Sequence, residues 1–103
     1  QKKEFKVKQT KPVVICIFDK NLMKEYISLQ MILRSAGIST EIYPGEGKLK
    51  KQMEYANKIK SPAVILYGEN EIKIGKPTLR NLVSGNEKST TIKELANEIK
   101  KII

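Results

Sequence analysis

Val13-Val14-Ile15-Cys16-Ile17-Phe18 is an unbroken apolar run of six, mostly β-branched and ending on an aromatic ring. A strand with one face in water alternates apolar and polar residues. A continuous run suits a strand covered on both faces, as in a parallel sheet. Cys16, in its middle, reads as a core thiol. Downstream, Asp19 offers a cap, and Leu22, Tyr26, Leu29, Leu33 and Ala36 fall on one stripe, which predicts a helix over 20–36 lying on the sheet. Gly37 suits the position just past its end. Ile38–Tyr43 reads as a second strand and Pro44–Gly47 as a turn. Residues 48–59 carry Leu49, Met53, Ala56 and Ile59 at helical spacing, with Lys50 and Lys51 outside. Pro62 then opens a third apolar run, Ala63–Tyr67, closed by Gly68; proline is tolerated at the first position of a strand. Strand, helix, strand, helix, strand is the pattern of βαβ units with right-handed crossovers.

Beyond Gly68 the pattern changes. Glu71-Ile72-Lys73-Ile74 alternates, Gly75-Lys76 turns, and Pro77–Val83 reads as a returning strand, so a hairpin is expected beside the parallel core. Thr91-x-x-Glu94 is a capping box, and Ile92, Leu95, Ala96, Ile99, Ile102 and Ile103 behind it build one apolar helix face. The expected fold class is α/β, a mixed five-stranded sheet with three helices. Residues 1–11 carry five lysines and one glutamate without any period, and read as a basic linker or arm ahead of a domain at 12–103.

The chain has 103 residues, the size of one domain. Its 20 basic and 11 acidic residues leave a net charge of +9. This excludes an acidic substrate mimic and points to a polyanionic partner. No stretch approaches the roughly 20 apolar residues of a membrane span. One cysteine excludes an internal disulfide framework, and the absence of histidine excludes Ser-His, Cys-His and His-ligated metal sites. The chain opens on Gln1 and reads as a domain cut from a longer protein.

The turn after the first strand, Phe18-Asp19-Lys20-Asn21, has no glycine, hence no dinucleotide fingerprint and no P-loop. Asp19 alone makes a poor hard-cation site, which argues against a receiver-like phosphoacceptor. Gly45 and Gly47 precede a helix whose N-terminus offers N–H groups to an anion, though two glycines serve equally to let the chain turn. The densest polar cluster is Gly68-Glu69-Asn70-Glu71 with Lys73, Lys76 and Arg80. It follows the third strand, and the carboxyl ends of parallel strands are where open α/β sheets bind ligands. Glutamate accepts from exocyclic amines and arginine forks onto guanine edges. That pairing suits unstacked RNA bases. The same residues also read as surface ion pairs across a hairpin, worth about 0–1 kcal/mol.

These segments, taken in order, resemble a known family. LRSAGIST (Leu33–Thr40) leads into EIYPG. GKLKKQMEYANKIKSP (Gly47–Pro62) and VILYGENEIKIGKPTLRNLVSG (Val64–Gly85) follow. The chain from about Pro12 to Ile103 is similar to the C-terminal anticodon-binding domain of class II aminoacyl-tRNA synthetases for His, Gly, Thr and Pro, and most like the histidyl enzymes. The resemblance implies the same five-stranded fold. It implies that Glu71 and Arg80 read anticodon bases, that Asn70 and Lys73 flank them, and that Glu46 and Lys48 approach the anticodon from the second helix. Lys50, Lys51 and Lys76, with the N-terminal lysines, would hold phosphates. The domain itself would carry no catalytic residue, metal or cofactor. ATP and magnesium belong to the parent's separate catalytic domain. The implied partners are tRNA, that catalytic domain and a second copy of the parent in a homodimer, in the cytoplasm and away from membranes. Two alternatives stay open: an accessory or regulatory subunit that keeps the architecture without reading an anticodon, and a small α/β enzyme or signalling domain unrelated to tRNA.

Overall fold

The computed structural model describes residues 11–103, so the basic arm expected over 1–11 lies, Lys11 apart, outside the described residues. The sheet is five-stranded: β1 (Val13–Cys16), β2 (Thr40–Ile42), β3 (Ala63–Leu66), β4 (Thr78–Asn81) and β5 (Glu87–Ser89), in the order β2-β1-β3-β4-β5. β1 runs parallel to β2 and β3; β4 is antiparallel to β3 and to β5. The helices are α1 (Met23–Ser35), preceded by a 3-10 turn at Lys20–Leu22, then α2 (Leu49–Lys58), α3 (Glu69–Ile74) and α4 (Ile92–Lys100).

All four residues of β1 are wholly buried, as an uninterrupted apolar run requires. Val13, Ile15, Ile65 and Leu79 point to one side and pack against Tyr26, Leu29 and Leu33 of α1 and Leu95 and Ile99 of α4. Val14, Cys16 and Val64 point to the other and meet Ala56 of α2 together with Tyr43. The apolar stripes of α1 and α4 therefore face the core as their periods predict. Asp19 accepts from the Asn21 N–H and caps the 3-10 turn ahead of α1, and Thr91 accepts from the Glu94 N–H, the Thr91 half of the expected capping box. On the α2 side, Tyr55 donates to Glu41 at 2.7 Å and meets Tyr43 edge-on at 5.4 Å, which ties α2 to the β2 edge.

The structure corrects the reading after Gly68. Residues 71–74 are not a strand: they belong to α3, the fourth helix where three were expected. A four-residue alternation fits either period, and burial decides. Ile72 packs on the core while Ile74 is 65% exposed, as two residues about 200° apart on a helix must be. Glu71 caps α3 by accepting from the Gly68 N–H at 2.9 Å. Gly75, at φ 69°, ends it in the left-handed conformation that glycine adopts without steric cost. The hairpin is formed by β4 and β5 instead. Its turn is held by Asn81, whose side chain accepts from the Val83 and Ser84 N–H groups. β5, Glu-Lys-Ser, is an exposed, charged edge strand with no apolar signal in its sequence, the composition expected of a guarded sheet edge.

Candidate nucleic-acid interface

β1 connects to β2 on one side of it, and the chain returns through α2 to β3 on the other. The crossovers diverge between β1 and β3, and a crevice is expected outside the carboxyl ends of strands at such a point. Three segments meet at this edge: Ile17–Lys20 after β1, Pro44–Lys48 before α2, and Gly68–Glu71 opening α3.

The end of β1 is fixed from both faces. Gln52, wholly buried, accepts from the Ile17 N–H at 2.7 Å and donates to the Ile17 carbonyl at 2.6 Å and to the Gly47 carbonyl at 3.1 Å. Tyr26, from α1, accepts from the Phe18 N–H at 3.0 Å. The Phe18 ring then turns outward, 48% exposed. It separates a crevice of about 200 Å³ beside Lys20, Glu46 and Gly47 from one of about 300 Å³ beside Gly68, Glu69 and Asn70.

Among the residues expected to contact RNA, Glu46 is exposed and paired with Lys20. The hydrogen bond from Lys20, and then the charges of Lys20 and Lys51, hold its carboxyl below the usual carboxylate range. Lys48 is the N-cap of α2, and Lys50 and Lys51 stand exposed on the first turn. Asn70, Lys73 and Lys76 are exposed on and just after α3. Glu71 is half-buried and engaged in its cap.

Arg80 departs from the expected pairing. It lies in β4 opposite Val64, on the α2 side of the sheet, and its ion-pair partner is Glu87 of β5, at 3.3 Å and in direct register. The surface ion pair across a hairpin is thus real, but it joins Arg80 to Glu87 in the β4–β5 hairpin. The α2 side of this half of the sheet is lightly covered: Thr78 and Arg80 are half-buried, and Glu87 and Ser89 are exposed.

Sequence reading passed over Gln52 and Phe18. Gln52 stands three residues after Leu49 and four before Ala56, within the buried stripe of α2, so its helical position was the available signal. The apolar run places Phe18 with the strand, and nothing in that run marks where burial stops. Cys16 is buried, and burial pushes its thiol up to about 12. Among the described residues no group of three Cys, Asp or Glu side chains is placed to hold a metal ion, and no helix is long and apolar enough to cross a membrane.

The chain has close relatives of known kind. It is 40% identical to the histidine–tRNA ligase of Pelagibacter ubique, over 97% of this chain and 23% of that protein. It is 38% identical to that of Cytophaga hutchinsonii, over 84% and 19%. The crystal structure of histidyl-tRNA synthetase from Nostoc sp. PCC 7120 superposes with a TM-score of 0.86 at 28% identity, over 90% of this chain and 22% of that one. The chain spans about a fifth of the length of these relatives. Residues 11–102 match the anticodon binding domain model, a span that takes in every element from β1 to α4. With its mixed sheet and cationic carboxyl-end edge, the chain belongs to the anticodon binding domain family.

Proposed function

We propose that this domain binds the anticodon loop of a tRNA for a histidyl-type class II synthetase. Here it would position the acceptor end of the tRNA at a catalytic domain elsewhere in the same protein. ATP and magnesium serve that catalytic domain. The parent works as a homodimer in the cytoplasm. The observation that carries the reading is a pair of crevices either side of Phe18, one lined by Lys20 and Glu46 and the other by Glu69, Asn70 and Glu71, with Lys48, Lys50, Lys51, Lys73 and Lys76 exposed on the segments that open α2 and that form and follow α3. Cations on the rim neutralise phosphates and supply salt-dependent affinity. Base edges are then read by the carboxylates and the amide, and by Arg80 once Glu87 releases it. Each good bidentate contact is worth about 1–3 kcal/mol of discrimination, taking the duplex figure as a guide.

The test is binding of the chain to a hairpin RNA carrying a GUG anticodon loop and to one with the loop permuted, at low and at physiological salt. A preference for GUG that survives added salt supports base readout. Salt-sensitive binding without preference overturns it and favours an accessory subunit that keeps the architecture alone.

A further inference from the structure

We infer that Phe18 is a stacking platform for an unpaired base of the bound RNA, a role that rests on the anticodon-loop reading above. Four buried residues precede it in the strand, yet its own ring is half in solvent. The other exposed large apolar side chains among the described residues are aliphatic or Met: Ile27, Met31 and Ile32 on α1, Ile74 on α3, and Val83 in the hairpin turn. Among the described residues Phe18 is the one aromatic side chain that stands exposed, and aromatic rings hold splayed-out bases whatever their identity.

The ring is also held in place. A Cβ built on Gly68 would stand 3.3 Å from Phe18 Cδ2 and 3.0 Å from Glu71 Oε1. The glycine therefore lets the ring rest against backbone, next to the α3 cap. Below the ring, the Phe18 N–H is bonded to Tyr26, and both backbone groups of Ile17 are bonded to Gln52. A surface aromatic on so constrained a stretch of chain has little ordering entropy left to lose when a base stacks on it. On either side lie the two crevices, one offering Lys20 and Glu46, the other Glu69 and Asn70. A base on the ring has donors and acceptors beside its edge, at the point of the sheet where a ligand is expected.

The chain contains no tryptophan and four tyrosines, so Phe18→Trp introduces a single tryptophan at the platform, excited selectively at wavelengths where tyrosine does not absorb. Phe18→Leu keeps apolar bulk but removes the π-face, and Phe18→Ala removes both. Thermal unfolding of each variant first establishes that it folds. Binding is then measured to the GUG hairpin RNA, to the permuted loop, and to GUG hairpins with one abasic position at a time.

The expected result is that Trp binds like Phe and its emission is quenched on addition of the GUG RNA. Leu and Ala should bind roughly 5- to 150-fold more weakly, the range of one lost base stack. One abasic position in the loop should abolish the difference between Phe and Leu. If the unmodified chain prefers the GUG loop but Leu and Ala bind as it does, the platform is overturned and the anticodon reading stands. A chain with no preference for the GUG loop overturns the anticodon reading, and the platform with it.

Discussion

Gln52 in α2 and Ile17 at the end of β1, thirty-five residues apart, form a closed pair: the carboxamide oxygen accepts from the Ile17 N–H and its nitrogen donates to the Ile17 carbonyl. The side chain acts as a one-residue extension of the sheet. It satisfies backbone groups that the ladder leaves behind and anchors the helix entrance to the strand end. Replacing Gln52 with Leu keeps the bulk but leaves both Ile17 groups without these partners. Urea unfolding should show a loss of about 1–3 kcal/mol per unpaired buried group. A loss below 0.5 kcal/mol, roughly the scatter of neutral surface changes, would show that water replaces the amide.

Arg80 and Glu87 are predicted to separate stability from recognition. The pair is partly exposed, so Glu87→Gln should change unfolding free energy by no more than about 1 kcal/mol. It should raise affinity for the GUG hairpin RNA, because it frees the guanidinium and removes a negative charge. Arg80→Ala should weaken binding to the GUG loop more than to a permuted loop. An equal loss for both would reduce Arg80 to a phosphate contact.

Glu71 has a structural duty as a cap and a proposed duty as a base reader. Glu71→Gln retains an acceptor for the Gly68 N–H but loses the charge. Its thermal midpoint should stay near that of the unmodified chain while discrimination between loops falls. Glu71→Ala should lose both, with about 0.5–2 kcal/mol of stability, borrowing the figure for a lost cap residue. A Gln variant that discriminates normally would confine Glu71 to the cap.

Lys50 and Lys51 extend from the first turn of α2 into solvent. Replacing both with Gln should make the plot of log affinity against log salt shallower by about 1.4, at roughly 0.7 per single-strand phosphate contact. An unchanged slope removes them from the RNA footprint.

Cys16 should be chemically silent in the folded chain. With its thiol pushed up to about 12, alkylation at pH 8 should be slow in buffer and rapid in denaturant. Its folded value lies above the ordinary one, so the stability it contributes is complete below pH 9.0 and declines as pH rises from there toward about 12. Native-state labelling as fast as that of the unfolded chain would contradict this burial.

Much of the fold is written locally. Val13–Cys16 and Ala63–Leu66 announce buried parallel strands by unbroken apolar runs, and the stripes of α1 and α4 announce which faces they bury. Such patterns are legible because burial imposes a period on each element. The ligand-facing edge was partly legible too: the lysines of α2 and the polar cluster after Gly68 stand out by composition. Resolving that edge into a site required more. Over so short a stretch, Ile72 and Ile74 suit a strand, where they would share a face, as well as a helix, where they point apart, so only their packing separated α3 from a β-hairpin. β5 lacks an apolar signal because an edge strand is held by backbone pairing to β4, which the side chains of Glu87–Ser89 do not encode.

The partners of Arg80, Gln52 and Phe18 were decided by the tertiary structure alone. Register set Arg80 opposite Glu87, the docking of α2 brought Gln52 to Ile17, and Gly68 gave the Phe18 ring its resting place. The sequence by itself determined the α/β class, the element faces and the cationic character, because these follow from local composition and period. Which side chains converge depends on contacts tens of residues apart along the chain, and those exist only once the sheet has formed.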